Sequence, residues 1–380
     1  MQTSPQSHPI KTVELQGRGL AISWSDGTHH LFHPLWLRES STHPEYRDPG
    51  TQMRMPPTYK LPLDIALTTA SINEEGGLSV SFSDEHSCTF TGDHLYQSAS
   101  IRRPDDLAGE QTYWDGALSD YKIFNYSAMQ NSNETVLAIL QTVAQFGFAY
   151  IEGMPVELDE LEKFARLVGP PRETNWGTIT DVRNLPNPYD LTVTARSLSP
   201  HVDNPYRLPA PGYIFMHCIR NDANGGESTI VDGFGAAMRL KESDPEAFEA
   251  LSTISPNFRH AEEGAILEDY GPMIQVNEVG KVVRVRFSNR TEQVPTLDHE
   301  TLDRYYRARQ VFSRLIFSEQ LTLVTKLKPG DGFIWDNYRI LHGRTAFDPK
   351  TGDRHMRHCY LDRDTVSSRH KCLLKMARIA

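Results

Sequence analysis

The chain has 380 residues, of which 38% are hydrophobic and 23% are charged, and its formal net charge is −10. The length allows one large domain with a smaller one, and the composition is typical of a soluble globular protein. No apolar run is long enough to span a membrane, and the chain is acidic with no basic patch that could neutralise phosphates, so we expect neither a membrane nor a nucleic-acid partner. The N-terminal residues lack the features of a secretory signal, which predicts a cytoplasmic protein. The four cysteines are scattered without a C-x-x-C pair, which argues against a disulfide framework.

Residues 1–95 are predicted to form a small β-rich domain. Strand-like segments at 20–24 and 29–32 flank an Asp-Gly turn, which is the pattern of a β-hairpin. Residues 78–82 alternate between apolar and polar side chains, as a strand with one buried face does. Residues 96–130 show scattered charges without clear periodicity, and we interpret them as an irregular connector.

Residues 131–380 combine predicted strands with flanking helices. The clearest helix begins at Ser132 or Asn133 and carries apolar residues at helical spacing up to Gly147. Further helices are predicted over 157–168, 234–240, 245–251 and 297–319, and strands over 148–151, 212–219 and 281–287, the last of them half-exposed. No G-x-G-x-x-G follows a strand, which disfavours a doubly wound fold. We predict an α+β, mostly β, domain in the form of a double-stranded β-helix (jelly roll) with flanking helices.

The stretch 199–206 places His201 and Asp203 two residues apart. On a strand such residues point to the same face, so both can bind one ion. They supply two of the three ligands in the two-histidine, one-carboxylate site of non-haem Fe(II), and His342, at the end of a later strand, is the natural third ligand. The alternative for the His-x-Asp triplet is a surface ion pair, and for His342 a hydrogen-bonded core histidine. We assign His217, within an apolar run, to the core.

Arg354 follows His342 after a loop and a predicted return strand. A guanidinium there can bind a carboxylate through two parallel hydrogen bonds, which suits the distal carboxylate of 2-oxoglutarate. Ser228 can add a hydroxyl group to the same carboxylate. The alternative is an ordinary surface arginine in a basic cluster with Arg344, Arg357 and Arg363.

These motifs together resemble the Fe(II)/2-oxoglutarate oxygenases of the γ-butyrobetaine and trimethyllysine hydroxylase family, within the broader taurine dioxygenase group. The resemblance rests on His201-x-Asp203, the Gly-Gly turn at 225–228, the segment 336–344 and Arg354, and the segment 35–38 with His86 extends it to the N-terminal domain. It implies Fe(II) bound by His201, Asp203 and His342, with 2-oxoglutarate anchored by Arg354. Dioxygen would be the second co-substrate, and ascorbate the reductant in an assay.

The first departure from this family concerns zinc. The family's N-terminal domain binds zinc through three cysteines and a histidine, whereas the matching positions here are Ser41, His43, Tyr46 and His86. Two histidines alone cannot make the closed four-ligand site of structural zinc. We therefore expect no zinc and a domain held together by packing, although Cys88, close to His86, leaves an altered site open.

The second departure concerns the substrate. Family members that bind trimethylammonium groups surround the cation with aromatic rings. The resemblance places Trp176 and Tyr360 in this cage with Tyr206 and Tyr189 nearby, whereas two other cage positions carry Thr180 and Val193. The alternative for each aromatic ring is core or lid packing. Candidate partners for the acidic end of the substrate are Asn204, Asn289 and Arg290.

We therefore predict a 2-oxoglutarate-dependent hydroxylase of a small quaternary ammonium zwitterion, with γ-butyrobetaine as the first substrate. The second is a trimethylammonio-alkylphosphonate such as 2-(trimethylammonio)ethylphosphonate, because Arg290 would favour a strongly anionic tail. Remoter alternatives are a metal-dependent hydrolase that uses a metal-bound water and a non-catalytic binding protein on the same fold. We expect a homodimer.

Overall fold

The computed structural model describes residues 8–51, 53–55, 57–99, 107, 109–187 and 190–379. It divides into two compact units, Met1–Arg103 and Pro104–Ala380. Within the described ranges no helix is both long and apolar enough to cross a membrane. Tyr189, one of the residues predicted to bind substrate, lies outside the described residues.

The N-terminal unit contains two antiparallel three-stranded sheets. Its elements are β1 (Ile10–Gln16), β2 (Gly19–Trp24), β3 (His29–Phe32), α1 (Pro34–Glu39), β4 (Leu67–Ile72), β5 (Leu78–Phe82), β6 (Ser87–Phe90) and α2 (Gly92–Ala99). The sheets have the strand orders β1–β2–β3 and β4–β5–β6. The predicted hairpin is confirmed: β2 pairs with β3, and Gly27 in the turn has a φ of 85°, which favours glycine. One core formed by both sheets includes Leu20, Trp24 and Phe82.

The second unit is a jelly roll in which two sheets face each other. Its strands are β7 (Ile123–Asn125), β8 (Phe148–Glu152), β9 (Ile179–Arg183), β10 (Leu198–His201), β11 (Tyr213–Asn221), β12 (Asn224–Gly225), β13 (Ser228–Asp232), β14 (Asn257–Glu262), β15 (Ala265–Tyr270), β16 (Ile274–Val276), β17 (Val282–Val285), β18 (Glu292–Gln293), β19 (Leu323–Thr325), β20 (Gly332–Asp336), β21 (Ile340–Arg344), β22 (Phe347–Asp348) and β23 (Arg354–Leu361). The larger sheet has the order β7–β8–β20–β11–β23–β9 and the smaller one β10–β21–β13–β19. The predicted fold class is confirmed.

Helices cover the outer faces of this unit. They are α3 (Tyr126–Asn131), α4 (Asn133–Phe146), α5 (Glu160–Arg166), α6 (Gly233–Ser243), α7 (Pro245–Thr253), α8 (His299–Ile316) and α9 (Arg363–Ile379). Helix α4 has the predicted ends, because Ser132 Oγ accepts the Thr135 N–H at 3.2 Å and Gly147 closes the helix with a φ of 82°. The apolar face of α4 packs in one core with α5, α9 and the larger sheet, and a second core joins α6, α7 and α8 to the smaller sheet.

Some elements differ from the sequence-based expectation. The strand predicted over 281–287 is not half-exposed: Arg284 in β17 and Arg286 just after it are only 6% and 7% exposed. The Arg284 guanidinium lies 4.4 Å from the centre of the Tyr338 ring, and Arg286 lies 3.3 Å from the carboxylate of Asp269. The β14–β15 hairpin and α9 were not predicted, and the segment 96–130 contributes β7 and part of α3.

A buried ion pair joins Asp232, at the end of β13, to Arg339, directly before β21. The guanidinium donates to both carboxylate oxygens, at 2.9 and 2.8 Å, and also to the carbonyl oxygens of Gln145 and Thr112. The carboxylate additionally accepts the backbone N–H of Phe234 and caps α6. These contacts fix the end of β13 and the turn that leads into β21.

Candidate active site

Two neighbouring strands of the smaller sheet bring His201, Asp203 and His342 together. His201 ends β10 and is paired with His342 in β21, while Asp203 follows in the loop after β10. The Nε2 atoms of His201 and His342 lie 3.3 and 3.5 Å from the same oxygen, Oδ1 of Asp203. One possible ligand atom from each residue lies within 4.8 Å of the other two.

The chemistry of this donor set fits a divalent metal such as Fe(II). His201 Nδ1 donates to the carbonyl oxygen of Ser199 at 2.8 Å, which leaves a lone pair on Nε2. That Nε2 atom is buried and has no hydrogen-bond partner among the described residues. A cation bound by this atom, Asp203 and His342 would complete the arrangement. The other three-residue group of possible ligands found in the described ranges is acidic and lies at 157–160, where Lys163 pairs with two of its members.

The protonation states also suit a metal. Burial lowers the pKa of His201 to about 4, and the charge of His342 acts in the same direction. Burial alone would raise the pKa of Asp203, but His342 and His201 together hold it well below its ordinary value. At neutral pH the structure therefore favours a neutral imidazole at His201 and an ionised carboxylate at Asp203, which are the forms that bind metal ions.

Asp203 is held through both its backbone and its carboxylate. Asn337 Nδ2 donates to the Asp203 carbonyl oxygen at 2.9 Å, and the Asp203 N–H donates to Asn337 Oδ1 at 2.8 Å. The Tyr360 hydroxyl donates to Asp203 Oδ2 at 2.9 Å. Burial and the neighbouring carboxylate raise the pKa of Tyr360 well above its ordinary value, so the phenol stays a donor. The hydroxyl of Tyr360, a residue predicted for the cage, thus contacts the metal-binding carboxylate, and it also lies 3.1 Å from His358 Nε2.

A cavity of about 70 Å³ lies beside the three residues, between the two sheets. Apolar side chains of the larger sheet line it together with polar side chains from both sheets, those of the larger sheet lying on β23. The lining includes Ile214, Met216, Phe333, Trp335, Ser228, Thr325, Arg344, Arg354 and His358. A few polar groups set in an apolar surface are typical of a site that binds a small polar ligand and excludes water from it.

Arg354 is a buried guanidinium in this lining. It is only 6% exposed, and its Nε donates to the carbonyl oxygen of Gly226 at 3.2 Å. Among the described residues no carboxylate pairs with it; burial, with Arg344 adding to the effect, lowers its pKa to about 10. A buried cation without an anionic partner is suited to a ligand carboxylate, and Ser228 lies in the same lining. The alternative of a surface basic cluster is wrong for Arg354 and Arg344, since both are buried.

Two of the predicted cage residues meet at His260. Trp176 contacts the His260 ring edge-on at 5.3 Å, and Tyr206 stacks on the same ring at 5.1 Å. The Arg207 guanidinium lies over Trp176, 4.8 Å from the ring centre. The face of Trp176 is therefore already used by a cation of the protein itself. Val193, at one of the positions without an aromatic ring, is buried.

The candidates for the acidic end of the substrate have different surroundings. Asn204 accepts the Tyr206 hydroxyl at 2.7 Å, and its buried Nδ2 has no hydrogen-bond partner among the described residues. Arg290 lies 3.3 Å from the carboxylate of Asp190, and its charge contributes to the lowered pKa of His201. Asn289 is exposed and accepts a hydrogen bond from Arg309 of α8 at 2.9 Å. Asn204 thus directly follows the metal-binding Asp203, and Arg290 acts on His201 through its charge.

Sequence reasoning gave no role to Asn337, His358 or Arg344. The alternation of β23 could have indicated His358, because every second residue from Arg354 to Tyr360 faces the same side of the strand. For Asn337 no spacing rule links a turn residue to the backbone of Asp203, so only the structure shows the contact.

In the N-terminal unit, the positions that match the family's zinc ligands form a hydrogen-bonded aromatic cluster. Ser41 Oγ lies 2.9 Å from His86 Nε2, and the Tyr46 ring lies 4.7 Å from the His86 ring. The Arg38 guanidinium lies over the Tyr46 ring, 4.0 Å from its centre. These residues do not fit a four-ligand zinc site. That the protein binds no zinc there stays a prediction.

A jelly roll with a His-Asp-His group beside a cavity that contains a buried arginine defines the class of non-haem iron oxygenases. Residues 112–360 match the family described as taurine catabolism dioxygenase TauD, TfdA family, and residues 11–96 match the gamma-butyrobetaine hydroxylase-like N-terminal domain. The chain belongs to the TauD/TfdA family and is an Fe(II)/2-oxoglutarate-dependent dioxygenase. The family predicted from the sequence is confirmed, and the hydrolase and binding-protein alternatives are set aside.

Curated relatives match nearly the full length. The chain is 30% identical to gamma-butyrobetaine dioxygenase of Pseudomonas sp. (strain AK-1) over 97% of each chain. It is 27% identical to the Homo sapiens gamma-butyrobetaine dioxygenase over 96% of each chain, and 27% identical to trimethyllysine dioxygenase of Meyerozyma guilliermondii over 95% of each. The crystal structure of AAD-2 in complex with Mn(II) and N-oxalylglycine is similar with a TM-score of 0.51 at 14% identity, covering 66% of this chain and 99% of that one. This last likeness supports the fold.

Proposed function

We propose that the protein hydroxylates a small zwitterion with a trimethylammonium group, and that γ-butyrobetaine is the first substrate to test. The observation that carries the proposal is the aromatic pair Trp176 and Tyr206, which meet at His260. Tyr206 lies three residues after Asp203, and Trp176 has a ring face that accommodates a cation. The full-length relatives named gamma-butyrobetaine dioxygenase and trimethyllysine dioxygenase support it.

The side chains have separate tasks in this reaction. His201, Asp203 and His342 would hold Fe(II), which when bound supplies the activation of dioxygen at the expense of 2-oxoglutarate. Arg354 and Ser228 would bind the distal carboxylate of 2-oxoglutarate. Tyr360 and Asn337 keep Asp203 in place, and the apolar wall of the cavity keeps water away from the reacting groups.

A second candidate substrate is 2-(trimethylammonio)ethylphosphonate, which Arg290 favours. A carboxylate carries a single negative charge, whereas a phosphonate resembles a phosphate monoester and carries more than one at neutral pH. Arg290 acts on His201 through its charge and is paired with Asp190 at 3.3 Å. A more highly charged tail competes better with Asp190 for this guanidinium.

The test is succinate formation under air with Fe(II), ascorbate and 2-oxoglutarate, measured separately with γ-butyrobetaine, the phosphonate and trimethyllysine. Turnover that is coupled to one substrate and lost in His201→Ala supports the proposal. Arg290→Gln should reduce kcat/KM for the phosphonate more than for the carboxylate. If none of the amines stimulates succinate formation although 2-oxoglutarate binds, the substrate proposal is wrong and the oxygenase assignment stands.

The homodimer and the cytoplasmic location stay predictions. Light scattering on the purified full chain measures the molar mass and tests the first of them.

A further inference from the structure

Arg344 is a second buried guanidinium in the wall of the cavity. It lies two residues after His342 at the end of β21, is 4% exposed, and lines the same cavity as Arg354. Its Nη1 donates to the carbonyl oxygen of Thr192 at 3.2 Å. Its Nη2 donates to the carbonyl oxygens of Thr194 and Arg196, both at 2.7 Å. In the described part of the chain, no carboxylate pairs with Arg344.

Carbonyl oxygens satisfy the N–H groups of a guanidinium but do not neutralise its charge. The buried Nε of Arg344 has no hydrogen-bond partner among the described residues. Arg344 in turn contributes to the lowered pKa of Arg354. Two guanidiniums, neither of them paired with a described carboxylate, therefore share one small cavity. A dianion bound in this cavity relieves their mutual repulsion.

The three carbonyl acceptors all belong to the short segment 192–196, which forms part of the cavity wall through Thr192. The same segment is also held by Phe347, whose N–H donates to the Ala195 carbonyl oxygen at 3.1 Å. Thr192 lies within the 3₁₀ turn Leu191–Val193, and its N–H donates to the carboxylate of the capping residue Asp190 at 2.8 Å. Arg344 therefore links the strand that carries His342 to the wall beside the co-substrate.

We propose that Arg344 is a positioning residue for 2-oxoglutarate with two tasks. Its charge adds to the attraction of Arg354 for the dianion, and its three hydrogen bonds hold the segment 192–196 against the cavity. Arg354 contacts the distal carboxylate directly. Arg344 attracts the dianion electrostatically from nearby and holds the segment 192–196 in the cavity wall.

The experiment measures 2-oxoglutarate affinity by calorimetry on the full chain loaded with Mn(II), so that no turnover is needed. Arg344→Met removes the charge and the hydrogen bonds, and it should weaken binding about tenfold to a hundredfold. Arg344→Lys keeps the charge without the planar fork and should recover part of the loss. The control is Arg357→Met. Arg357 lies on β23, pairs with Asp181 and is outside the cavity lining, so this variant should bind 2-oxoglutarate as tightly as the wild type does.

An Arg344→Met protein that folds and binds 2-oxoglutarate as the wild type does would overturn the proposal. Equal losses in Arg344→Met and Arg344→Lys would overturn the electrostatic part, because only the wall contact would then matter. If Arg344→Met does not fold, Arg344→Lys decides: a wild-type dissociation constant contradicts the proposal, and a several-fold weaker one supports it. A purely structural role would lower the melting temperature of both variants without selective loss of 2-oxoglutarate binding.

Discussion

The hydroxyl group of Tyr360, rather than its ring, is expected to control how tightly the protein binds its metal. Tyr360→Phe removes the 2.9 Å hydrogen bond to Asp203 Oδ2 and keeps the aromatic ring. A hydrogen bond to a charged group contributes about 1.5–3 kcal/mol. Since about 1.4 kcal/mol is a factor of ten, the expected loss of metal affinity is roughly 10- to 100-fold, as found for the outer partners of metal ligands.

The assay is anaerobic titration of the metal-free protein with Fe(II), or calorimetry with Mn(II). A matched control is Tyr305→Phe, because the Tyr305 hydroxyl also donates to a buried carboxylate, that of Glu292 at 2.6 Å, but lies outside the cavity lining. The control should lower the free energy of unfolding without changing metal affinity. Tyr360→Phe should leave the KM for the amine nearly unchanged, since the ring remains.

Unchanged metal affinity in Tyr360→Phe would refute the reasoning. A raised KM for the amine with unaltered metal binding would also contradict it, because the hydroxyl would then act on the substrate instead of on Asp203.

Three further changes test other parts of the structure. Burial lowers the pKa of His217 to about 4 from an ordinary 6.5, so its contribution to stability is complete above pH 6.5 and is lost as the pH falls towards 4. His217→Leu should therefore flatten the pH dependence of the free energy of unfolding in urea between pH 6.5 and 4. An unaltered pH dependence would show that His217 does not cause it. Arg339→Met leaves the Asp232 carboxylate buried without its partner and should reduce the free energy of unfolding by about 3–5 kcal/mol. A loss below about 1 kcal/mol, which is the value of an exposed ion pair, would contradict the structural role of this pair. Asp190→Asn keeps the hydrogen bond from the Thr192 N–H but frees Arg290 from its ion pair. The KM of an amine with a negatively charged tail should therefore fall about two- to fivefold. Steady-state kinetics that show no change would mean that Arg290 does not contact the tail.

The metal-binding group was predictable from sequence for a specific physical reason. Residues two apart on a strand share a face, so His201 and Asp203 follow from local geometry alone. His342 does not, because nothing in the sequence gives the pairing of β10 with β21 that sets it opposite His201. His342 was proposed from its place at the end of a later predicted strand, and the family resemblance supported that choice. The same holds for Arg354, whose alternative as a surface residue was consistent with every local pattern.

The residues that sequence reasoning misjudged are those whose partners lie far along the chain. Arg284 and Arg286 alternate with valines, as in a half-exposed strand, yet Tyr338 and Asp269 bury them. Asn337 is bound to Asp203 across 134 residues. Local patterns report which face of an element is apolar, but a polar residue buried by a distant partner leaves no periodic trace.

Both groups proposed to recognise the zwitterion have internal partners. Arg207 lies over Trp176, and Asp190 pairs with Arg290. A substrate therefore binds only if its own charges outcompete these internal contacts. Its affinity is the difference between its interactions with Trp176 and Arg290 and those that Arg207 and Asp190 already make with them. A trimethylammonium group cannot donate hydrogen bonds as a guanidinium does, so it gains little over Arg207 at the ring. A tail with more than one negative charge gains clearly over Asp190 at Arg290. Selection among candidate substrates should consequently depend more on the acidic end than on the ammonium end, and the pair of γ-butyrobetaine and its phosphonate counterpart is the comparison that measures it.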